Sequence, residues 1–139
     1  MTAYEEGLEI RRRLMAADPT NAGRARDVSV SLNRIGDVRS SRNELQGALR
    51  AYEEGLEIRR GLMAADPSHS ERARDVFISL ANIGLLHRQG GDKKAACRKF
   101  REALPIITAL AGSAPGIYQL QQDFADIQRV IAETGCSPS

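Results

Sequence analysis

Apolar residues recur along most of this 139-residue chain at intervals of three and four, which is the spacing of one face of an α-helix. Val28, Leu32, Ile35 and Val38 show the pattern clearly. Strict alternation of apolar and polar residues, which marks a half-buried strand, is rare. The pattern therefore predicts an all-α fold of about six helices, at residues 3–17, 21–41, 44–65, 69–89, 93–111 and 117–133.

Short polar residues predict where three of the helices begin. Asn43 and Asp92 are suited to cap the third and fifth helices, because their side chains can accept a hydrogen bond from a free N–H of the first turn. Ser68 with Glu71 three residues later forms a capping box before the fourth helix.

Proline and glycine predict helix ends and one irregularity. Asp-Pro pairs at 18–19 and 66–67 stop the first and third helices, because a residue before proline avoids the helical region. Pro105 lies inside the fifth helix and is expected to kink or shorten it. Gly135 is expected to end the sixth helix, and residues 136–139 to fray.

One stretch of sequence occurs twice. Residues 3–19 and 51–67 differ only where Gly61 stands in place of Arg13. A weaker third copy follows, and the aromatic residues that open the copies are 48 residues apart: Tyr4, Tyr52 and Phe100. A fixed period of this size is typical of an array of stacked helical units.

The period predicts a single repeat domain over residues 1–139. It consists of a half-unit at 3–19, one unit at 21–67, another at 69–112 and a C-terminal helix at 117–134. Short connections make consecutive helices antiparallel. The first copy has no helix of its own before it, which suggests a segment of a longer array.

The unit 80–104 resembles a tetratricopeptide repeat. Matching residues stand at the spacing of that family's helix-turn-helix pattern: Leu80, Ile83, Gly84, Gly91, Ala96, Phe100, Ala103 and Leu104. The preceding unit repeats the pattern at Leu32, Ile35, Gly36, Ala48, Tyr52, Gly55 and Leu56. Asn43 replaces the usual turn glycine, and the usual terminal proline is absent. Longer helices then account for a period of 48 residues in place of ~34.

The resemblance implies an α-solenoid, in which helix pairs stack into a superhelix and the first helix of each pair lines the concave face. Tyr52 and Phe100 are then packing residues between helices. The implied function is a scaffold that binds a protein or peptide, without catalysis and without a cofactor.

Comparison of the repeats suggests where a partner would bind. Positions shared by both copies solve the same packing problem, whereas positions that differ are free to contact a partner. The differences gather late in the first helix of each pair. We expect a groove there, formed by Asn33, Asp37, Ser41, Asn82, Leu85, Arg88, Gln89 and Arg129, that holds an extended or helical peptide. The alternative is a solvated inner face without a ligand.

A second hypothesis is self-assembly. The helix at 3–17 lacks a partner helix before it, so its apolar residues Tyr4, Leu8 and Met15 are expected to be uncovered on one side. A second copy of the chain could cover them, either by a swap between the nearly identical first and third helices or by a head-to-tail contact.

Charge and hydropathy exclude several classes of partner. The net charge of +2 is small, and acidic residues are interleaved with the basic ones, which argues against nucleic acid. The longest apolar run, at 103–111, is too short to cross a membrane. The first residues are acidic and polar, unlike a secretory signal.

The sequence offers no catalytic or metal site. It contains no nucleophile elbow, phosphate loop or HExxH motif, and His69 and His87 are expected to be solvated or half-packed. Cys97 and Cys136 have neither CxxC spacing nor a neighbouring histidine pair, so we expect reduced thiols and a cytoplasmic protein.

Overall fold

The structure, a computed structural model, describes residues 2–137. Within them the chain forms six helices and no strand: α1 (Ala3–Ala17), α2 (Ala22–Ser41), α3 (Leu45–Ala65), α4 (Ser70–Gln89), α5 (Lys93–Ser113) and α6 (Tyr118–Thr134). The predicted all-α helical array is confirmed. The chain divides into two compact units, here called unit 1, which ends at Pro67, and unit 2, which begins at Ser68. The division falls between two predicted repeats, and a single continuous domain stays a prediction.

In unit 1, α2 packs against both α1 and α3. Tyr52 of α3 lies against Gly36, while Arg59, farther along α3, reaches Ser29, nearer the start of α2. The two helices are therefore antiparallel. A core cluster of buried side chains holds the three helices together: Leu8, Val28, Leu32, Ile35 and Ala51, with Met15 and Ile58 packed against it.

In unit 2, α5 packs against both α4 and α6. Phe100 of α5 is fully buried beside Gly84 of α4. A Cβ atom added at Gly84 would lie 2.7 Å from Phe100 Cδ1, so this position must remain glycine for the ring to fit. In unit 1 the absence of a side chain at Gly36 makes room for the ring of Tyr52, because an added Cβ would lie 2.5 Å from Tyr52 Cδ1.

The N-cap of α3, in the turn between α2 and α3, differs from its prediction. Asn43 is not the N-cap of α3, because it adopts a left-handed conformation with φ of 58°, and Glu44 occupies the cap position without a side-chain hydrogen bond. Gly91 takes the same conformation, with φ of 83°, in the turn before α5. Asparagine adopts the left-handed conformation more readily than most residues, so Asn43 can occupy the turn position that glycine occupies at Gly91. Asp92 caps α5 as predicted and accepts a hydrogen bond of 3.0 Å from Ala95 N.

The N-cap of α4 also differs from its prediction. The capping residue is His69, whose Nδ1 accepts from Arg72 N at 3.4 Å, and the helix begins at Ser70. The predicted cap position at Ser68 is therefore one residue too early, and a hydrogen-bonded pair of Ser68 with Glu71 stays a prediction. Asn21, 48 residues earlier, caps α2 in the same way by accepting from Arg24 N at 3.1 Å. The Asp-Pro turn has the same length in both copies, so the cap falls at the same position.

Pro105 does not shorten α5, which runs without a break from Lys93 to Ser113. The proline ring is exposed, while Ala103 and Ile107 on either side of it are buried. The apolar face on both sides of the proline packs against neighbouring helices, which offsets the lost backbone hydrogen bond.

The cysteines overturn another expectation. Cys97 and Cys136 form a disulfide, with Sγ atoms 2.07 Å apart. Reduced thiols were the wrong prediction, because antiparallel packing of α5 and α6 brings the end of α6 to the start of α5, and sequence spacing does not reveal this. The cysteines therefore no longer argue for the cytoplasm. Gly135 ends α6 with φ of 78°, as predicted, but Cys136 is held by the disulfide and is not frayed. Pro138 and Ser139 lie outside the described residues.

No group of three or more His, Cys, Asp or Glu side chains within residues 2–137 is placed to hold a metal ion. No helix in this part of the chain combines the length and the hydropathy needed to cross a membrane.

Candidate partner-binding surface

Two ion pairs join α4 to α6 in unit 2. Arg74 Nε donates to Asp123 Oδ2 at 2.7 Å, and Gln119 Nε2 donates to the other carboxylate oxygen at 2.8 Å. Asp123 is buried, so these charge-assisted bonds satisfy a carboxylate that would otherwise be costly to desolvate. Farther along, Arg88 and Glu133 approach to 3.9 Å. These pairs link α6 to α4, and α5 packs against both helices.

A small apolar cleft of about 160 Å³ lies between these ion pairs. We call it the α4–α6 cleft, and its lining residues are Phe77, Ala81, Leu85, Phe100, Asp123, Asp126, Ile127 and Val130. Leu85 is 43% exposed, which is unusual for a leucine in this chain. Its side chain stands at the edge of the cleft with the buried Phe100 beneath. The cleft can therefore receive an apolar group.

The corresponding position in unit 1 is polar. Tyr52 Oη donates a hydrogen bond of 2.5 Å to Asp37 Oδ1. Burial, and then this hydrogen bond, raises the pKa of Tyr52 above its usual value. Phe100 and Leu85 stand 48 residues after Tyr52 and Asp37, so unit 2 replaces a hydrogen-bonded pair with an apolar pair. This replacement contributes two of the apolar side chains that line the cleft.

A comparison with known families identifies the fold of one stretch. A family model described as tetratricopeptide repeat matches residues 28–69, which contain α3 and most of α2. This stretch is similar to a tetratricopeptide repeat. The family resemblance is confirmed, and the 48-residue period as a family variant stays a prediction. A search of curated proteins finds no match to the chain. Tetratricopeptide repeats are typically scaffolds for protein interaction, so the match supports a function of that kind.

Within the matched repeat, the three predicted groove residues lie on α2 and differ in their bonding. Asp37 accepts from Tyr52, and Ser41 Oγ donates to Val38 O at 2.8 Å. Asn33 is half-buried, and its Oδ1 accepts no hydrogen bond from any residue in 2–137. A buried acceptor without a donor is unfavourable, so Asn33 is the groove residue of this repeat with an unmet bonding requirement.

In unit 2 only one of the predicted groove residues lines the α4–α6 cleft. Leu85 lines it directly. Arg88 lies beside Glu133, and Arg129 donates to Asp126 at 3.2 Å, so both cations stand near the cleft with carboxylate neighbours. Asn82 is half-buried and Gln89 is exposed at the end of α4, and neither lines the cleft.

Sequence reasoning missed the apolar lining from Phe77, Ile127 and Val130. The sequence did contain one signal for Phe77. It stands 48 residues after the buried Ser29, so the two copies of the repeat differ at this position. The α6 residues carried no such signal, since their register against α4 depends on tertiary packing.

The α1 surface differs from its prediction. Leu8 is only 6% exposed and belongs to the core cluster of unit 1, and Met15 is half-buried against that cluster. The expectation that Leu8 is uncovered is therefore wrong, because α2 covers that side of α1. Tyr4 is 49% exposed, and Ile10 and Leu14 are also exposed.

Proposed function

We propose that this chain binds a protein segment, without catalysis, and that the α4–α6 cleft accepts one apolar side chain of that segment. The observation that carries the proposal is Leu85, exposed at the edge of a cleft whose floor is Phe100. A cavity of about 160 Å³ would hold roughly five water molecules at ~30 Å³ each, which is comparable to one large aliphatic side chain. Replacing that water with an apolar group is favourable by about 25 cal/mol per Å² of buried apolar surface.

Polar groups around the cleft would orient the bound segment. Arg88 and Arg129 have exposed guanidinium groups that can also contact backbone carbonyls or carboxylates of a partner. Asn82 and Gln89 belong to the same proposed surface. In unit 1, Asn33, Asp37 and Ser41 offer hydrogen bonds to the same class of partner. An extended or helical peptide with an apolar anchor fits the combination of apolar cleft and polar groups in unit 2.

The decisive variant is Leu85→Asp, which places in unit 2 the residue that unit 1 already carries at Asp37. Peptides selected from a random library against the wild-type chain supply the ligands. We expect their affinity to fall about tenfold or more in Leu85→Asp, because a carboxylate at the edge of the cleft opposes burial of an apolar anchor. Asn82→Ala combined with Arg88→Ala should weaken binding of the same peptides without lowering the melting temperature of the protein.

The control is Gln128→Asp, an exposed position on α6 outside the cleft lining. It adds the same charge and should leave the affinity unchanged. Equal affinity of the wild type and Leu85→Asp would refute the cleft as the binding site.

A second candidate function is self-association through α1. The same sequence occurs in α1 and α3, yet Tyr52 is 4% exposed where α2 covers it, whereas the equivalent Tyr4 is 49% exposed. Tyr4 thus reaches solvent at a position that is buried in the complete helix pair, while exposed Ile10 and Leu14 correspond to half-buried Ile58 and Leu62. A second copy of the chain is the proposed cover.

Light scattering on size-exclusion peaks across a concentration series tests this candidate. Tyr4→Glu with Leu14→Glu should convert an oligomer to a monomer. Both residues are exposed, so these changes avoid the core residue Leu8. Glu6→Gln with Arg13→Gln is the control on the same helix. A monomeric wild type at every concentration would rule out self-association.

A further inference from the structure

A second concave surface, separate from the α4–α6 cleft, lies at the start of α5. Its volume is about 510 Å³. We call it the basic cavity, and it is lined by Lys93, Lys94, Cys97, Arg98, Arg101, Gly135, Cys136 and Ser137. Four of these eight residues are cationic, and none is acidic.

Most cations that the structure places elsewhere in unit 2 have a carboxylate partner. Arg74 pairs with Asp123, and Lys99 with Glu102. By contrast, the side chains of Lys93, Lys94 and Arg98 make no hydrogen bond or ion pair with any residue in 2–137. Their positive charge is not compensated locally, and a concave surface concentrates the field that they produce.

The far wall of the basic cavity is held in place. The Cys97–Cys136 disulfide ties the segment after α6 to the first turns of α5. The Arg101 guanidinium also donates to the carbonyl and to the hydroxyl of Ser137. The cations therefore face a wall fixed by a covalent bond, unlike lysines scattered over an open surface.

The first copy of the repeat shows that helix packing does not require these charges. Position by position, 48 residues earlier, the chain carries Leu45 for Lys93, Gln46 for Lys94, Leu49 for Cys97, Arg50 for Arg98 and Glu53 for Arg101. One cation and one acid thus stand where unit 2 has four cations. The charge cluster and the cysteine appear together in unit 2 only, although the same kind of helix forms in both units.

We propose that the basic cavity binds an acidic segment of a partner protein, rich in Asp and Glu. The cations are spread over more than two turns of α5, from Lys93 to Arg101, so they match several carboxylates along a chain better than they match one small anion. Arginine can bind a carboxylate through two parallel hydrogen bonds, and exposed lysines steer an acidic partner during encounter. This surface adds a charge-directed contact that the apolar cleft does not provide.

Fluorescence anisotropy with a labelled hexaglutamate peptide tests the proposal on the full chain with its disulfide intact. The wild type should bind, and its affinity should fall as salt is added. Lys94→Glu with Arg98→Glu should lower the affinity about tenfold or more, and the neutral pair Lys94→Gln with Arg98→Gln should lower it less. Both positions are exposed, so the melting temperature should be kept.

The matched control is Lys99→Glu with Arg13→Glu, which changes the net charge by the same amount outside the basic cavity. Its affinity should stay within about twofold of the wild type. An equal loss in this control would mean that the peptide senses net charge alone and would overturn the proposal. Binding of inorganic phosphate without binding of hexaglutamate would also overturn it, because the cavity would then be a small-anion site.

Discussion

The Tyr52 hydroxyl donates a hydrogen bond of 2.5 Å to the Asp37 carboxylate, across the packed pair α2 and α3. The ring of Tyr52 is buried against Gly36, while Asp37 remains exposed. The same ring position in unit 2 is Phe100, and the same acceptor position is Leu85. At these two positions a hydrogen-bonded pair in unit 1 is thus an apolar pair in the α4–α6 cleft of unit 2.

The alkaline stability of the protein should depend on Tyr52. Burial, followed by the bond to Asp37, raises the pKa of this phenol above its usual value of about 10. The folded chain therefore holds the proton more tightly than the unfolded chain. The resulting stability is complete below pH ~10, where both states are protonated, and it is lost as the pH rises through the folded-state pKa.

Chemical unfolding at a series of alkaline pH values checks this prediction. Tyr52→Phe should unfold with a weaker pH dependence above pH ~10 than the wild type. At neutral pH it should lose about 1 kcal/mol, the contribution of one hydrogen bond whose acceptor stays solvated. Tyr118→Phe, at an exposed position, is the control. Parallel pH profiles for the wild type and Tyr52→Phe would contradict the prediction.

The two residue pairs should be exchangeable between the units. Phe100→Tyr alone buries a hydroxyl without an acceptor and should cost about 1–3 kcal/mol of unfolding free energy. Adding Leu85→Asp supplies the acceptor that Asp37 provides in unit 1. A double-mutant cycle measured by urea unfolding should therefore show a favourable coupling of about 1 kcal/mol. Strictly additive effects would mean that the two positions do not meet in unit 2 as they do in unit 1.

Glycine positions should differ sharply in their tolerance of a methyl group. Gly36→Ala and Gly84→Ala force a Cβ atom against the rings of Tyr52 and Phe100 and should destabilise by roughly 1–3 kcal/mol. Gly61→Ala is the control, because nothing lies within 4 Å of its added Cβ. It should stabilise the protein by roughly 0.5–1 kcal/mol, the cost of glycine in a helix interior. Similar melting temperatures for the three variants would refute the packing argument.

Loss of the disulfide should lower stability more than a surface change does. The disulfide links two residues with a sequence separation of 39. Such a bond typically contributes about 2–4 kcal/mol to the free energy of unfolding by restricting the unfolded chain. Cys97→Ser with Cys136→Ser should lose this amount in urea unfolding. A reducing agent should destabilise the wild type and leave the double variant unchanged. A reductant effect of equal size on both would mean that it acts elsewhere.

Local sequence determined the helices of this protein. The three- and four-residue periodicity, the Asp-Pro pairs and Gly135 act within a few residues of where they stand, so the helix ranges and the repeat of residues 28–69 could be predicted without tertiary contacts. The cap errors at Asn43 and Ser68 were also local, and each was one residue away from the correct assignment.

Tertiary packing decided what lies between the helices. The Cys97–Cys136 bond, the burial of Leu8 under α2 and the contact of Phe77 with the α4–α6 cleft all depend on which helix ends and faces meet. Periodicity identifies the apolar face of a helix but not the register at which that face meets its neighbour. For this reason the internal repeat indicated Leu85 as a candidate site, whereas only the packed helices revealed the cleft beside it and the four cations gathered around the disulfide.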